Sequence, residues 1–254
     1  MAYCASLFKD HFSGHAAAYA AARPRYPRSL FAWLAAEAPA RSTVWDCATG
    51  NGQAAVSLAE YFDVVHATDA SREQIDHALL REKIRYGVAA AEASGLPGNS
   101  LDAITVAQAA HWFDLPAFYA EARRTLKDQG LLAMWGYGLT RIETSIDRII
   151  DWFYIEVVGT YWPPERRHID RAYEDLGFPF ARVATPRFRM LERWTLQELL
   201  AYISSWSAVQ RCRQQTQRDP VPELQRKLAG AWGDPGLPRN VRWPLFMLAG
   251  RADL

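Results

Sequence analysis

Short apolar segments alternate with helix-like patterns from residue 43 to residue 137, and this alternation restricts the possible folds more than any other feature of the chain. Such an order is typical of βα units built around a parallel sheet. It predicts a doubly wound α/β fold, with its first five strands at residues 43–45, 64–68, 84–89, 102–107 and 131–137.

Helix and turn signals complete this outline. Asp114 opens a helix after the fourth strand, and Gly130 is expected to end it. Beyond the fifth strand, further helices are expected at residues 143–159 and 195–209. The Pro-, Gly- and Trp-rich residues 231–244 predict mainly turns and edge structure.

The composition indicates one globular core and no polyanionic partner. Of the 254 residues, 50% are hydrophobic, enough for one large core with an appended subdomain. Lys and Arg number 29 against 28 Asp and Glu, so the chain lacks the basic excess of a protein that clamps phosphate backbones. We therefore expect no nucleic-acid partner.

Cysteine spacing and the length of apolar segments bear on the environment of the protein. Cys4, Cys47 and Cys212 are far apart and form no CxxC pair, so neither a metal site nor a disulfide framework is indicated. No segment reaches about 18 consecutive apolar residues, and no basic leader is visible. We expect a cytoplasmic protein without a membrane partner, and the sequence leaves its oligomeric state open.

The turn after the first strand carries the strongest functional signal. Residues 46–52 read Asp-Cys-Ala-Thr-Gly-Asn-Gly and lead into a helix. Ligands of parallel sheets bind beyond the carboxyl ends of strands, where glycines let backbone amides approach and a helix N-terminus adds positive potential. Asp69 ends the second strand 19 residues after Gly50, close to the offset of about 20 at which a carboxylate meets ribose hydroxyls.

Two kinds of ligand are compatible with these glycines. Gly50-x-Gly52-x-x-Ala55 also satisfies the dinucleotide fingerprint, which keeps an NAD-dependent oxidoreductase open. Asp46, four residues before Gly50, would repel a pyrophosphate but would accept a hydrogen bond from a cationic amino group. The carboxylate thus favours a zwitterionic ligand.

At these residues the chain resembles the class I S-adenosylmethionine-dependent methyltransferases, whose first motif pairs an acidic residue with a GxG turn. The similarity continues at Ala91-Glu92 and at residues 108–114, which read Gln-Ala-Ala-His-Trp-Phe-Asp. The N-terminal motif Tyr19-x3-Arg23-Pro24-x-Tyr26-Pro27 is similar to the type 11 group, which includes trans-aconitate-like small-molecule methyltransferases.

The resemblance implies a single Rossmann-like methyltransferase domain over residues 1–254. Its mostly parallel sheet would have seven strands, with a final antiparallel hairpin near residues 241–248 and a helical cap inserted after strand five. Its parts would be an N-terminal helical lid over the cofactor (1–40), a cofactor-binding core (41–140), the cap (141–180) and a C-terminal part that completes the sheet (181–254).

The resemblance also implies the activity and the cofactor site. A methyl group would pass from S-adenosylmethionine to a carboxylate or hydroxyl oxygen of a small-molecule acceptor, leaving S-adenosylhomocysteine. An inactive cofactor-binding protein is a further alternative, because Ala48 replaces a glycine found in many members. The residues expected to bind the cofactor are Tyr19, Arg23, Asp46, Ala48, Thr49, Gly50, Gly52, Asp69, Ala70, Gln74, Ala91, Glu92, Gln108 and Ala109.

Acceptor contacts are expected from aromatic and basic residues. His111 follows the fourth strand and is the candidate catalytic residue, since a usual pKa near 6.5 suits a general base; otherwise it lines the pocket. Residues 161–167 form either an aromatic wall with a carboxylate-binding arginine or a helix junction with surface ion pairs. The residues expected to bind the substrate are Tyr26, His111, Trp112, Trp162 and Arg166, and no metal ligand is expected.

Overall fold

The computed structural model describes residues 23–253, which form an open eight-stranded sheet with helices on both faces. The sheet runs in the order β3-β2-β1-β4-β5-β8-β6, and β7 pairs with β8 outside this path. The strands are β1 (Thr43–Cys47), β2 (Val64–Asp69), β3 (Ile84–Val88), β4 (Leu101–Ala107), β5 (Leu126–Tyr137), β6 (Ala181–Arg182), β7 (Arg189–Trp194) and β8 (Arg239–Arg251).

The predicted doubly wound, mostly parallel fold is confirmed. Strands β1 to β5 pair in parallel, whereas β8 runs antiparallel to β5, β6 and β7. The predicted number of seven strands is one too small. The reason is the length of β8, whose 13 residues pair with β7 near its start and with β6 near its end.

The helices of the described residues connect and cover these strands. A 3-10 turn over Ala110–Trp112 follows β4, and a π-helical turn over Phe153–Val157 leads into a 3-10 turn over Gly159–Tyr161. The α-helices are α1 (Arg28–Glu37), α2 (Gln53–Leu58), α3 (Arg72–Asp76), α4 (Leu115–Thr125), α5 (Thr144–Trp152), α6 (Arg166–Asp170), α7 (Leu196–Ser204), α8 (Ser207–Thr216) and α9 (Val221–Trp232).

Strand β4 lies at the centre of the sheet, and helices cover both of its faces. Six consecutive residues, 101–106, are buried, as expected for a parallel strand with two covered faces. Asp102, at the start of β4, connects this strand to the start of β1, because its Oδ2 accepts from the backbone N–H groups of Ser42 and Thr43 at 2.9 and 2.8 Å. Lys127 Nζ donates to Asp102 Oδ1 at 2.6 Å. The opposite, carboxyl edge remains available for a site.

Gly130 does not end the helix after β4, contrary to the sequence-based expectation. Helix α4 ends at Thr125, and Gly130 lies within β5, where the pairing with β4 shifts register between Leu101 and Ala103. A Cβ atom at Gly130 would lie 2.7 Å from the carbonyl oxygen of Lys127. This irregularity requires a glycine because two backbone segments approach closely.

The C-terminal helices differ from the sequence prediction in their boundaries. The helix expected at residues 143–159 becomes α5 and the two non-α turns that follow it, and the one expected at 195–209 is divided at Ser205 into α7 and α8. Helix α9 was not predicted. Residues 231–244, expected to be turn and edge, already enter β8 at Arg239.

One apolar cluster joins helices from both sides of residue 180. Ile146 and Ile150 of α5, Ile203 of α7 and Leu224 of α9 belong to it and are fully buried. Trp206 and Trp243 are also buried there. The division at residues 141–180 and 181–254 stays a prediction. Within residues 23–253, no helix combines the length and apolarity needed to cross a membrane.

Candidate active site

The turn of residues 46–52 lies where the strand order reverses. Strand β1 has β2 on one side and β4 on the other. The strands that follow β1 in the chain are therefore added first on one side of it (β2 and β3) and then on the other (β4 and β5). Ala48, Gly50 and Gly52 have φ angles of +55°, +57° and +88°. Three left-handed residues in five fold the chain tightly over the end of β1, at the edge of the sheet where the sequence predicts ligand binding.

Asp46 holds this turn from below. Its side chain has no exposed surface, Thr49 donates to Oδ2 at 2.5 Å, and Thr105 of β4 donates to Oδ1 at 2.9 Å. Burial raises the pKa of the Asp46 carboxyl to about 6, although the hydrogen bonds from the two threonines act in the opposite direction. Asp46 therefore supports the turn and places a titratable negative charge beneath it.

The Asp46→Asn variant is expected to be more stable than the wild-type protein above pH 6. A carboxyl with a higher pKa in the folded chain than in the unfolded chain binds its proton more tightly when folded, so its ionisation destabilises the fold as pH rises from about 4 to about 6. Removing that ionisation should add on the order of 2 kcal/mol at pH 8, a gain that shrinks towards pH 4.

Urea unfolding of the wild-type protein and the Asp46→Asn variant at pH 4 and pH 8 measures this difference. The exposed Asp63, substituted in the same way, serves as the control and should give no pH-dependent difference. An Asp46→Asn effect of equal size at both pH values would show that the ionisation of Asp46 is not its cause.

Asp69 joins the end of β2 to the turn. Its Oδ2 accepts from the backbone N–H of Gly50 at 2.8 Å, and Oδ1 accepts from that of Ser71 at 2.9 Å. Ser71 caps α3 by accepting from Gln74 N–H, and a Cβ atom at Gly50 would lie 3.7 Å from Gln74 Oε1. The predicted residues Gly50, Asp69 and Gln74 are thus brought together at one edge, with Ala70 next to Asp69 in the chain.

Gly52 is required by its surroundings as well as by its φ angle. A Cβ atom there would lie 2.1 Å from Tyr86 Oη, which donates to the carbonyl oxygen of Leu79 at 2.9 Å. Tyr86, on β3, was not predicted as part of the site. Its hydroxyl occupies the space that any side chain at position 52 would need.

The end of β4, next to β1 in the sheet, forms the neighbouring part of this edge. Gln108 has a φ of +58°, and its Oε1 accepts from the backbone N–H of Tyr137 at 3.0 Å, which links the ends of β4 and β5. Ala109 and Ala91 are buried, and Glu92 Oε1 accepts from the N–H of Asp114 at 3.0 Å. These predicted positions line up along the same carboxyl edge of the sheet.

A pocket opens beside this edge, between the sheet and the helical cluster. Arg23 enters it from the N-terminal side and donates from Nη1 to Tyr137 Oη at 2.7 Å. Gln53, at the start of α2, donates to the carbonyl oxygen of Pro24 at 3.0 Å, which fixes the Arg23 segment beside the glycine turn. The pocket is lined by Arg23, Gln108, His111, Trp112, Tyr137, Leu139, Trp162, Pro163, Arg166, Tyr202, Trp206 and Ser207.

Arg166 supplies a second cation to the same pocket. Its guanidinium carbon lies 4.8 Å from the ring centre of Trp162 and 5.6 Å from that of Tyr154, and Nε donates to Tyr154 Oη at 3.0 Å. Asp170 is a distant, half-exposed partner at 3.6 Å from Nε. Stacking on two rings fixes the guanidinium plane, as in sites that bind carboxylates with two parallel hydrogen bonds.

His111, the predicted catalytic residue, lies at the end of β4 among the residues that line the pocket. It stacks on Trp112 with ring centres 4.7 Å apart, and its Nδ1 lies 3.0 Å from Tyr173 Oη. Burial, reinforced by Arg166 and His168, lowers the pKa of the imidazole to about 3. His111 is therefore neutral at the pH of an ordinary assay.

The structure brings together most of the residues predicted to bind the substrate. His111, Trp112, Trp162 and Arg166 line the pocket, but Tyr26 does not; its ring packs edge-on against Trp135 with centres 5.6 Å apart. The predicted Tyr19 lies outside the described residues. Sequence reasoning missed several residues in or beside the site, namely Tyr86, Tyr137, Tyr154, Tyr173, Tyr202 and Ser207. Of these, Tyr137 could have been found from its position at the end of a predicted strand.

Comparisons with known proteins agree on one family. A family model described as a methyltransferase domain matches residues 45–134. A Dictyostelium discoideum protein named as a methyltransferase is 34% identical, and the match covers 97% of this chain and 96% of that protein. An uncharacterized methyltransferase of Mycobacterium tuberculosis is 30% identical, and the match covers 77% of this chain and 76% of that protein. A solved structure from Anaeromyxobacter dehalogenans, described as a type II methyltransferase, is 44% identical, with a TM-score of 0.86, covering 91% of this chain and 98% of its own.

Proposed function

The chain belongs to the class I S-adenosylmethionine-dependent methyltransferases, and on that premise we propose that it methylates a carboxylate or hydroxyl oxygen of a small molecule. The family membership excludes the dinucleotide alternative that the glycines left open. The observation that carries the acceptor proposal is the pocket beside the glycine turn, which combines two arginines with aromatic walls.

The turn fits the cofactor of the family. A Cβ atom at Gly52 would collide with Tyr86 Oη, and the left-handed glycines fold the chain tightly at the carboxyl end of β1, where α2 begins. Asp69, at the end of β2 beside Gly50, would accept from the ribose hydroxyls, since each carboxylate oxygen can accept more than one hydrogen bond. Arg23, fixed beside the turn through Pro24, would bind the carboxylate of the methionine part.

Arg166 would hold the acceptor. Within the described part of the chain its Nη atoms make no hydrogen bond, while the Nε hydrogen bond to Tyr154 and the contact with the Trp162 ring set the orientation of the guanidinium. Trp112, Trp162 and Trp206 would enclose an apolar or planar body next to that charge. The near balance of 29 basic and 28 acidic residues supports a small molecule over a nucleic acid.

Positioning is the main task of these residues. The cofactor supplies a methyl group on a sulfonium sulfur, which is electrophilic without further activation. The pocket residues have to exclude water and align the acceptor oxygen with the methyl–sulfur bond, since such alignment contributes several kcal/mol to a displacement. Two arginines at opposite sides would orient the two reactants separately.

Calorimetric titration with S-adenosylhomocysteine, followed by turnover with a panel of small acids, phenols and alcohols, tests the proposal. We expect binding of the product cofactor and methyl ester or ether formation with some members of the panel. Methylation of nitrogen acceptors alone, or strong salt-dependent binding to RNA, would contradict it.

Replacing Asp69 is expected to weaken cofactor binding. A lost hydrogen bond to a charged group corresponds to about 1.5–3 kcal/mol, so Asp69→Ala should lower the affinity for S-adenosylhomocysteine by roughly 10- to 150-fold. The exposed Asp63, immediately before the same strand, is the matched control, and the Asp63→Ala variant should bind the cofactor normally. A folded Asp69→Ala variant with wild-type affinity would remove Asp69 from the site.

A further inference from the structure

Tyr173 is a buried residue to which the proposed reaction assigns no role. It lies just beyond α6, is fully buried, and packs edge-on against Phe246 with ring centres 5.0 Å apart. Its hydroxyl oxygen is 3.0 Å from Nδ1 of His111. This contact joins the segment after α6 to the end of β4, 62 residues away in the sequence.

The backbone adopts an unusual conformation at this point. Helix α6 ends with hydrogen bonds from Ala172 N–H to Ile169 and from Tyr173 N–H to His168, and both Ala172 and Tyr173 have positive φ angles, +52° and +63°. The left-handed region disfavours L residues by roughly 1–2 kcal/mol each and is rare for a bulky aromatic residue. Such strain persists where the surroundings fix the residue, and it occurs often at functional sites.

The direction of the His111–Tyr173 hydrogen bond follows from the burial of the hydroxyl. Tyr173 is fully buried, and among the described residues Nδ1 of His111 is the hydrogen-bond partner of its hydroxyl. A buried O–H that did not donate to this nitrogen would be left unsatisfied, so its proton points to Nδ1 of His111. A neutral imidazole that accepts at Nδ1 carries its proton on Nε2.

We propose that Tyr173 is a positioning residue that fixes His111 in the Nε2–H tautomer, so that His111 donates a hydrogen bond to the acceptor and the acceptor is a carboxylate. This inference rests on the proposed oxygen-methylating function and selects between its two acceptor types. Within the described residues Nε2 makes no hydrogen bond, and His111 is one of the residues that line the pocket.

The chemistry of the pocket supports a carboxylate. A hydroxyl acceptor must lose its proton during methyl transfer, and the Nε2–H tautomer of His111 has no lone pair towards the pocket with which to take it. Among the described residues that line the pocket there is no aspartate, glutamate or lysine. Burial raises the pKa of Tyr202, and the hydroxyl oxygen of Tyr137 already accepts from Arg23. A carboxylate arrives ionised and needs no base.

The charged groups around His111 favour its neutral imidazole, the form that the assigned tautomer requires. Arg166 and His168 act on it from α6, Tyr173 contacts it from the segment after α6, and Arg23 is a further cation that lines the same pocket. His168 has its own partner, Asp175 Oδ1, 2.9 Å from its Nδ1. Burial together with Arg166 and His168 lowers the pKa of His111, so the tautomer should persist throughout the assay range.

Nitrogen NMR of the full chain with ring-labelled histidine tests the tautomer without reference to methyl transfer. With S-adenosylhomocysteine bound, His111 should show a protonated Nε2 and an unprotonated Nδ1 from pH 6 to pH 8. Tyr173→Phe should shift both ring signals towards a mixture of tautomers. Tyr119→Phe, which removes another buried hydroxyl from the same cluster, should leave them unchanged. A protonated Nδ1 in the wild-type protein would overturn the proposal.

Turnover with matched acceptor pairs tests the acceptor class. We expect kcat/KM at least about tenfold higher for benzoate, phenylacetate and cinnamate than for benzyl alcohol, phenylethanol and cinnamyl alcohol, with Tyr173→Phe lowering the carboxylate values by about tenfold and Tyr119→Phe leaving them unchanged. Preference for the alcohols would refute the carboxylate assignment. Absence of turnover with every acid and alcohol would refute the proposed function, while the NMR result would still decide the tautomer.

Discussion

Gly52→Ala is expected to abolish measurable cofactor binding while leaving the sheet intact. The new Cβ atom would lie 2.1 Å from Tyr86 Oη, and the residue would also keep a φ near +88°, where L residues are strained. Relief requires the turn to move or Tyr86 to give up its hydrogen bond to Leu79. We expect at least about a 100-fold loss of affinity for S-adenosylhomocysteine by calorimetry, equivalent to roughly 3 kcal/mol.

Gly95 provides a control in which only the backbone conformation is tested. It has a similar φ of +71°, but a Cβ atom there would meet nothing within 4 Å. Gly95→Ala should therefore reduce the free energy of unfolding by about 1 kcal/mol and leave cofactor affinity unchanged. Equal loss of affinity in both variants would show that backbone strain, not the contact with Tyr86, is responsible.

A double variant separates the steric contribution further. Tyr86→Phe removes the hydroxyl, after which the nearest ring atom lies 3.0 Å from the Cβ position of residue 52. Part of the lost affinity should return in Gly52→Ala/Tyr86→Phe, because an atom at 3.0 Å is displaced more easily than one at 2.1 Å. A Gly52→Ala variant that binds like the wild-type protein would contradict the role of this turn.

The sequence predicts the cofactor edge well because its signals are local. Apolar segments with turn residues locate β1, β2 and β4, and the parallel pairing then puts Asp46, Asp69 and Gln108 at one edge. The 2.8 Å hydrogen bond from Gly50 N–H to Asp69 puts both of these predicted residues side by side at that edge, while their contact with the cofactor stays a prediction.

The pocket is harder to predict because its residues come from distant segments. Tyr202 and Trp206 are spaced as core residues and do pack in a core, yet the same rings face the pocket. Tyr173 has no sequence signal, since a left-handed tyrosine contradicts local preference and is fixed only by packing against Phe246. Packing between distant elements, not local propensity, determines these positions.

Boundary errors have the same origin. Gly130 has the usual signature of a helix end, but the helix ends at Thr125 and the glycine serves a close approach within β5 instead. Strand β8 begins at Arg239, within the region predicted as turn, because it pairs with three other strands. No local pattern in residues 231–244 reveals this pairing. Tertiary pairing decides both cases.

Arg166→Gln is expected to reduce kcat/KM for carboxylate acceptors by about 10- to 100-fold, mainly through KM. The guanidinium is stacked on Trp162 and held by Tyr154, and a hydrogen bond between charged groups corresponds to about 1.5–3 kcal/mol. Arg166→Lys keeps the charge but loses the planar pair of donors, so it should recover only part of the loss. Steady-state kinetics with benzoate measures both variants.

Arg167 is the matched control for this prediction. It is the next residue in α6 but is exposed and does not line the pocket, so Arg167→Gln should leave the kinetics unchanged. Affinity for S-adenosylhomocysteine should be the same in all three variants, because Arg23 rather than Arg166 lies beside the glycine turn. A loss of cofactor affinity in Arg166→Gln, or an equal loss of turnover in Arg167→Gln, would place Arg166 outside the acceptor site; a loss confined to the KM of the acceptor assigns its charge to that molecule.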